Sequence, residues 1–462
     1  MRRTFSEKYL KNIRLYLSSK LYVLKSKNVH TNILQAIPFW SGAVITGVIA
    51  VVYAWLIDET EHYLSLILAW KSWLIFLISP IGFIGSWWLV SKFAPYAKGS
   101  GVPQVMAAVE LSTPVNRHLA KHLLSLKIII IKIISSMLLV FGGGAVGREG
   151  PTIQLASSVF RVINDILPSW WPSISRKNMI MAGSAAGLSA AFNTPLAGIV
   201  FAVEELSKTQ LKYIKTSLFT GVLIAGLTAQ LLAGSYLYLG YPNTKGVTIH
   251  IIPFVIIVSI IAGMMSGYQT QFLFYLQGFR KKFKKPKEQV LLLFVFSMII
   301  ACVIFFISKS IMGSGKEIME TALYDSSAKI QWYTPFLRML GNGLSFNSGG
   351  AGGIFAPALS IGASIGAVFG EFFDFSNPEI RVLILVGMVA FLSGITRAPF
   401  TSSIIVLEMT DRHSLLFYLI IAGMIGNQCS RWISTTALYD KLKKTYITDL
   451  KLADSKSKTP LI

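Results

Sequence analysis

Arg148 and Glu149 stand side by side in Gly147-Arg-Glu-Gly-Pro151, in the middle of the apolar run from Leu138 to Phe160. An ionised carboxylate is costly at bilayer depth, so an acid kept there is by default a candidate for function. The neighbouring residues say what would offset that cost. Glycine lets a backbone turn tightly, and proline in the first helical turn gives up no needed hydrogen bond, so Gly147, Gly150 and Pro151 mark a helix start beside Glu149. A helix start carries about four unpaired N–H donors and a partial charge of roughly +0.5, which favours an anion. When ionised, the Glu149 carboxylate can fill that anion position; when protonated, it can leave. One group would then gate an anion and carry a proton. The plainer alternative is a capping carboxylate paired with Arg148.

The pattern recurs at Gly99-Ser-Gly-Val-Pro103, which contains Gly101, and at Gly352-Gly-Ile-Phe-Ala-Pro357, which contains Gly353. Each motif alone reads as an ordinary helix start. Several starts aimed at one point could replace an anion's hydration shell without a full positive charge that would trap it. Ser100 is locally a helix cap, Ile354 and Phe355 are locally core residues, and Tyr439 in "TTALYDKL" is locally an interface tyrosine. Glu204 and Glu205 end an apolar helix just before Lys208. Adjacent helical residues point about 100° apart, so these two acids should differ in role. Glu110 and Lys132 also lie in apolar segments, where burial demands partners.

The elements that position these residues follow from composition. Of 462 residues 53% are hydrophobic and 14% charged, against about 25% charged in ordinary soluble domains. The chain reads as an all-α integral membrane protein. Apolar stretches at Trp40–Ile57, Trp73–Val90, Leu123–Val140, Leu218–Leu239, Ile251–Met265, Val290–Ile307 and Leu415–Ile425 suit spanning or partly spanning helices. No signal peptide is visible in the polar, basic first residues. The net charge of +22 is concentrated in Arg2–Lys27, Phe279–Glu288 and Arg431–Lys458. The positive-inside rule explains these runs better than nucleic-acid binding does, placing both termini in the cytoplasm and the acidic Asp58–His62 on the other side. Residues 1–35 read as a basic cytoplasmic segment whose mixed Tyr, Leu and Lys suit a helix on the membrane surface or, equally, a solvated tail. Cys302 and Cys429 have neither disulfide nor metal-ligand spacing, so no metal and no cofactor are expected.

The chain repeats itself. Gly183 and Gly387, Leu188 and Leu392, Pro195 and Pro399, and Glu204 and Glu408 all stand 204 residues apart, while Pro151 and Pro357 stand 206 apart. Internal repeats with glycine-interrupted short helices mark secondary transporters whose broken helices meet near the bilayer midplane. The expected organisation is a first transmembrane repeat over 36–240, a second over 241–440 with a basic linker near 279–288, and a short tail over 441–462.

"GSGVP", "GREGP" and "GGIFAP", with "AAFNTPLAGIVFAVEE" and "ALYDKL", resemble the signature segments of the CLC chloride channels and proton-coupled chloride transporters, over about residues 36–445. The resemblance implies a homodimer of inverted-repeat bundles of tilted and broken helices, each with its own anion pathway. It implies that Glu149 is the gating glutamate, that Ser100 and Tyr439 offer hydroxyls to the central chloride, and that backbone N–H groups of Ile354 and Phe355 face it. Glu205 matches the internal proton acceptor of the family's transporters, and Glu110 and Lys132 match buried charges. Met106 departs from the pattern, standing where some bacterial members carry an acid. Fewer than 25 residues follow Tyr439, so cytoplasmic nucleotide-binding modules are not expected, which points to a prokaryotic inner membrane. The reading is a chloride/proton antiporter with no covalent chemistry, its partners being chloride, protons and the bilayer. The runner-up is a passive voltage- or pH-gated chloride channel of the same fold. An intramembrane hydrolase using Glu149 and Glu205 lacks a nucleophile motif, and the serine of "GSGVP" and proline of "GREGP" argue against a fluoride exporter.

Overall fold

Apolar length alone sets the frame. In the computed structural model, which describes residues 27–206, 216–234, 237–325, 327 and 329–458, eight helices are long and apolar enough to cross a membrane. They are Ile33–Trp70, Ser72–Phe93, Ala120–Phe141, Thr216–Ala233, Ile249–Arg280, Pro286–Phe306, Phe355–Phe372 and Asn377–Thr396. The described residues form helices joined by short turns, with no named β-strand among them.

Several boundaries moved from the sequence expectation for local reasons. The first helix runs unbroken over Lys27–Trp70, because nothing in Asp58–His62 interrupts it. Asp58 and Glu61 therefore ride on a helix. Most of the expected surface helix within 1–35 lies outside the described residues. The stretch expected to reach Leu239 stops at Ala233, where Gly234 turns left-handed with φ +85°. The one expected to end at Met265 continues to Arg280, and Pro286 opens the next helix, so the basic linker shrinks to the turn between them. Phe355–Phe372 and Asn377–Thr396, two spans beyond those expected, pack against protein: 78% and 83% of their spanning windows are buried. Close packing favours Gly and Ala there. Gly362 and Gly366 lie against the backbone of Gly387 and Leu383, where a Cβ has no room.

The repeat is structural down to its unusual backbone. The helices Arg176–Phe192 and Asn377–Thr396 each end on a non-glycine residue in the left-handed region, Asn193 (φ 56°) and Arg397 (φ 67°), and each is followed two residues later by a helix-opening proline. The two proline-led helices then cap one another. Glu204 accepts from the Phe400 and Thr401 N–H groups at 3.1 and 2.7 Å, and Glu408 accepts from Leu196 and Ala197 at 3.0 and 2.7 Å. Each acid near the end of one short helix thus sits on the positive N-terminus of its repeat partner. Glu204→Ala and Glu408→Ala are each expected to lower stability by about 1–2 kcal/mol, read as a lower thermal unfolding midpoint in detergent, with the glutamine variants recovering part of the loss.

Candidate functional site

The three glycine motifs meet. Gly147 and Gly353, equivalent positions of the two repeats, exchange backbone hydrogen bonds: Gly147 N–H to Gly353 O at 2.9 Å and Gly353 N–H to Gly147 O at 2.6 Å. An antiparallel pair between equivalent residues is what a two-fold axis running through it requires. Gly99 joins the same cluster, donating to Gly350 O at 2.7 Å and accepting from Gly352 N–H at 3.2 Å. The helices Val102–Glu110, Glu149–Ile166 and Phe355–Phe372 all begin at this knot. Pro103, Pro151 and Pro357 lie in their first turns. Side chains would not fit: a Cβ on Gly147 would strike the Glu149 carboxylate, one on Gly150 the Ser100 hydroxyl, and one on Gly353 the Gly147 carbonyl. Gly101, with φ +105°, bends the chain into the first of these helices.

Glu149 is fully buried at the first position of its helix. Its Oε1 accepts from the Tyr238 hydroxyl at 3.4 Å, while Oε2 has no hydrogen-bond partner among the described residues. The backbone N–H groups of Glu149 and of Ala356, on the opposing helix, lie beside the carboxylate. The adjacent arginine turns away: Arg148 Nη1 donates to Asp58 Oδ1 at 2.6 Å and to Ala54 O at 2.8 Å. Arg148 therefore takes its ion-pair partner from the first helix, and the locally plausible Arg148–Glu149 pair is not made.

Near Glu149 lie two more buried polar atoms. Ser100 does not cap its helix, whose first turn follows Gly101. The hydroxyls of Ser100 and Tyr439 are close enough to act on each other, yet neither makes a hydrogen bond among the described residues. Ile354 and Phe355 are buried at the start of their helix, so their N–H groups belong to its unpaired first turn. Four aromatic rings form a file along this path. Tyr238 meets Phe192 edge-on at 5.2 Å, Phe192 meets Phe355 at 6.4 Å, and Phe355 stacks on Tyr439 at 6.4 Å.

Lys132 is buried and donates to Ala97 O at 2.8 Å and Gly99 O at 2.9 Å, which ties the Gly99 loop down. With Met106 buried in place of an acid, those carbonyls supply the compensation. Glu110 corrects the sequence reading. It is exposed at the end of its helix and pairs with Lys443 at 3.1 Å, because the Val102–Glu110 helix stops there and the final helix, Leu438–Lys458, packs beside it. Glu205 is buried in a π-helical turn, Ala202–Leu206, near enough to Tyr439 to act on its hydroxyl, while Glu204 points away to its cap. The two acids diverge as their 100° spacing requires.

One cavity reaches the cluster and a second lies near Tyr238. One of about 370 Å³ borders Gly99 and Ser100 and is lined by Lys98, Arg280 and Lys281. Burial, and then the neighbouring Arg280, push the Lys98 ammonium below its ordinary range. Another of about 360 Å³ is bordered by Glu61, Lys309 and Lys316, and Lys316 Nζ stands 5.4 Å from the Tyr238 ring. Tyr238 and Asp58 were not legible as site residues in the sequence, since "SYLYLGY" carries no motif and Asp58 lies 90 positions from Arg148.

Known proteins resemble this chain over most of its length. Residues 81–431 match the family described as voltage gated chloride channel. A protein of Salmonella paratyphi A named H(+)/Cl(-) exchange transporter ClcA is 29% identical over 79% of each sequence. The protein of that name from Yersinia pestis is 28% identical over 86% of this chain and 85% of its own. A solved structure of a slow cyanobacterial Cl⁻/H⁺ antiporter is 25% identical, covers 90% of this chain and 98% of its own, and superposes with a TM-score of 0.78. A CLC-type fluoride/proton antiporter, 19% identical with a TM-score of 0.72 over 90% of this chain and 98% of its own, shares the fold.

Proposed function

The chain belongs to the voltage-gated chloride channel family, and on that premise we propose that it exchanges chloride for protons across a membrane, with Glu149 competing for the anion site. The observation that carries the reading is a buried carboxylate set on a helix start, in one cluster with the buried hydroxyls of Ser100 and Tyr439, one of its oxygens and both hydroxyls without a hydrogen-bond partner among the described residues. Relatives named H(+)/Cl(-) exchange transporter support it, as does the likeness to a Cl⁻/H⁺ antiporter.

In this mechanism chloride enters by the cavity that Lys98 and Arg280 line. It accepts from the Ser100 and Tyr439 hydroxyls and from the Ile354 and Phe355 N–H groups, so no full cation is needed to hold it. Ionised Glu149 occupies the same positive ground and blocks the path; protonated, it withdraws. Glu205 takes the proton on the inner side, across Tyr439 from the anion. The positive-inside rule, applied to the basic Arg280–Lys287 turn, supports a cytoplasmic position for that side and both termini, with Asp58 and Glu61 outside. We assign the assembly as a homodimer in a bacterial inner membrane.

The test is purified protein in liposomes under a chloride gradient, with external pH and chloride efflux recorded together. Chloride flow is expected to drive protons uphill. Glu205→Gln is expected to keep chloride flow and reduce proton movement to the leak of empty vesicles. Chloride flow without proton movement in the unaltered protein would instead make it a passive channel.

A further inference from the structure

Tyr238 does something the glycine motifs do not account for. Its ring is buried, and its hydroxyl donates to Glu149 Oε1 at 3.4 Å. Phe192 holds the ring edge-on, and the chain around it is pinned at both flanks: Leu239 N–H donates to Met409 O at 3.1 Å, and the Tyr324 hydroxyl donates to Leu239 O at 2.6 Å. Lys316 borders its outer face, at the cavity that also touches Glu61. The aromatic file therefore ends in a phenol at both ends, Tyr439 beside Ser100 and Tyr238 on Glu149.

We propose that the Tyr238 hydroxyl is a latch on the outer side of the anion path, a positioning residue that holds the ionised Glu149 carboxylate in the blocking position. This deepens the reading of Glu149 as the group that competes with the anion, and rests on it. A donor aimed at a carboxylate favours its ionised form. Protonation weakens that bond and frees the side chain to swing out. The other titratable or charged groups around the carboxylate are Arg148, Tyr53 and Tyr439, with Asp58 behind Arg148 and Glu61 and Lys316 beside Tyr238. Tyr238→Phe leaves all of them in place and removes only the hydroxyl, whose hydrogen bond goes to Glu149.

The experiment measures chloride efflux from liposomes against external pH for the unaltered protein, Tyr238→Phe, Glu149→Gln and the double variant. With the latch gone, Glu149 is protonated more easily, so the pH at which efflux is half-maximal is expected to rise by about one unit. In the Glu149→Gln background, where no carboxylate titrates, Tyr238→Phe is expected to leave efflux flat against pH. A uniform change of rate with the midpoint unmoved, or a shift that persists without the carboxylate, overturns the proposal. Proton movement in the same vesicles tests the exchange reading separately, since the midpoint shift is readable even where chloride passes passively.

Discussion

Glu149→Gln is expected to abolish chloride-driven proton movement and to leave chloride flow independent of pH. Glutamine matches the carboxylate in volume, so the tight approach of Gly147 and Ala356 is kept, and its carbonyl can still accept from Tyr238. It carries no titratable proton and no charge with which to compete for two helix N-termini. In the unaltered protein the fraction of protonated Glu149 falls about tenfold per pH unit above its titration, and chloride flow that waits on protonation should fall with it. The variant's flow should be flat over the same range, so the difference widens with pH. The measurement is paired chloride-electrode and pH recordings on vesicles, with an ionophore clamping the potential. A variant that still moves protons would remove Glu149 from the proton path. A variant that passes no chloride at any pH would make the carboxylate a structural cap and not a competitor.

Much of this site could be read from the chain because its requirements are local. Tight turns and helix starts need glycine and proline at fixed spacing, so "GSGVP", "GREGP" and "GGIFAP" reveal themselves, and the structure brings all three to the Gly147–Gly353 pair. The repeat was legible for the same reason: Asn193 and Arg397 precede helix-opening prolines at matching positions. What stayed hidden depends on distance. Glu110 sits in an apolar segment, yet its exposure is decided by where its helix ends and by Lys443 on the last helix. Arg148 stands next to an acid and pairs with another one, on a helix 90 residues earlier, because consecutive residues at a helix start diverge. Tyr238 has no motif, since a single hydroxyl needs no particular neighbours in sequence to reach a carboxylate. The buried span Phe355–Phe372 has the lowest mean hydropathy of the eight, 1.4, as residues facing protein need small size more than apolarity.

Arg338→Met is expected to destabilise the protein by about 3–5 kcal/mol, the largest loss from any single change considered, since it strips donors from several buried acceptors at about 1–3 kcal/mol each, partly offset by water from the adjoining cavity. Arg338 lies on Thr334–Phe346 and is fully buried. No carboxylate lies within ion-pair distance of it among the described residues. Its guanidinium is spent on neutral oxygens: Nη1 donates to Met312 O at 2.6 Å and Gly313 O at 3.1 Å, Nη2 to Ser314 O at 2.9 Å, and Nε to the Ser360 hydroxyl at 3.0 Å. Gly313 (φ 68°) and Gly315 (φ 84°) turn that loop around it, and a Cβ on Gly315 would strike the guanidinium. One side chain thereby ties the wall of the cavity beside Glu61 and Lys316 to the helix that starts at Phe355. Lysine has one ammonium where arginine has a planar fork, so Arg338→Lys is expected to recover little. Thermal unfolding in detergent reads the loss. Chloride affinity of the fraction that stays folded should match the unaltered protein, because Arg338 touches neither Glu149 nor the Ser100–Tyr439 pair. An unchanged unfolding midpoint with altered chloride flow would mean that this guanidinium acts on the ion path and not on the loop.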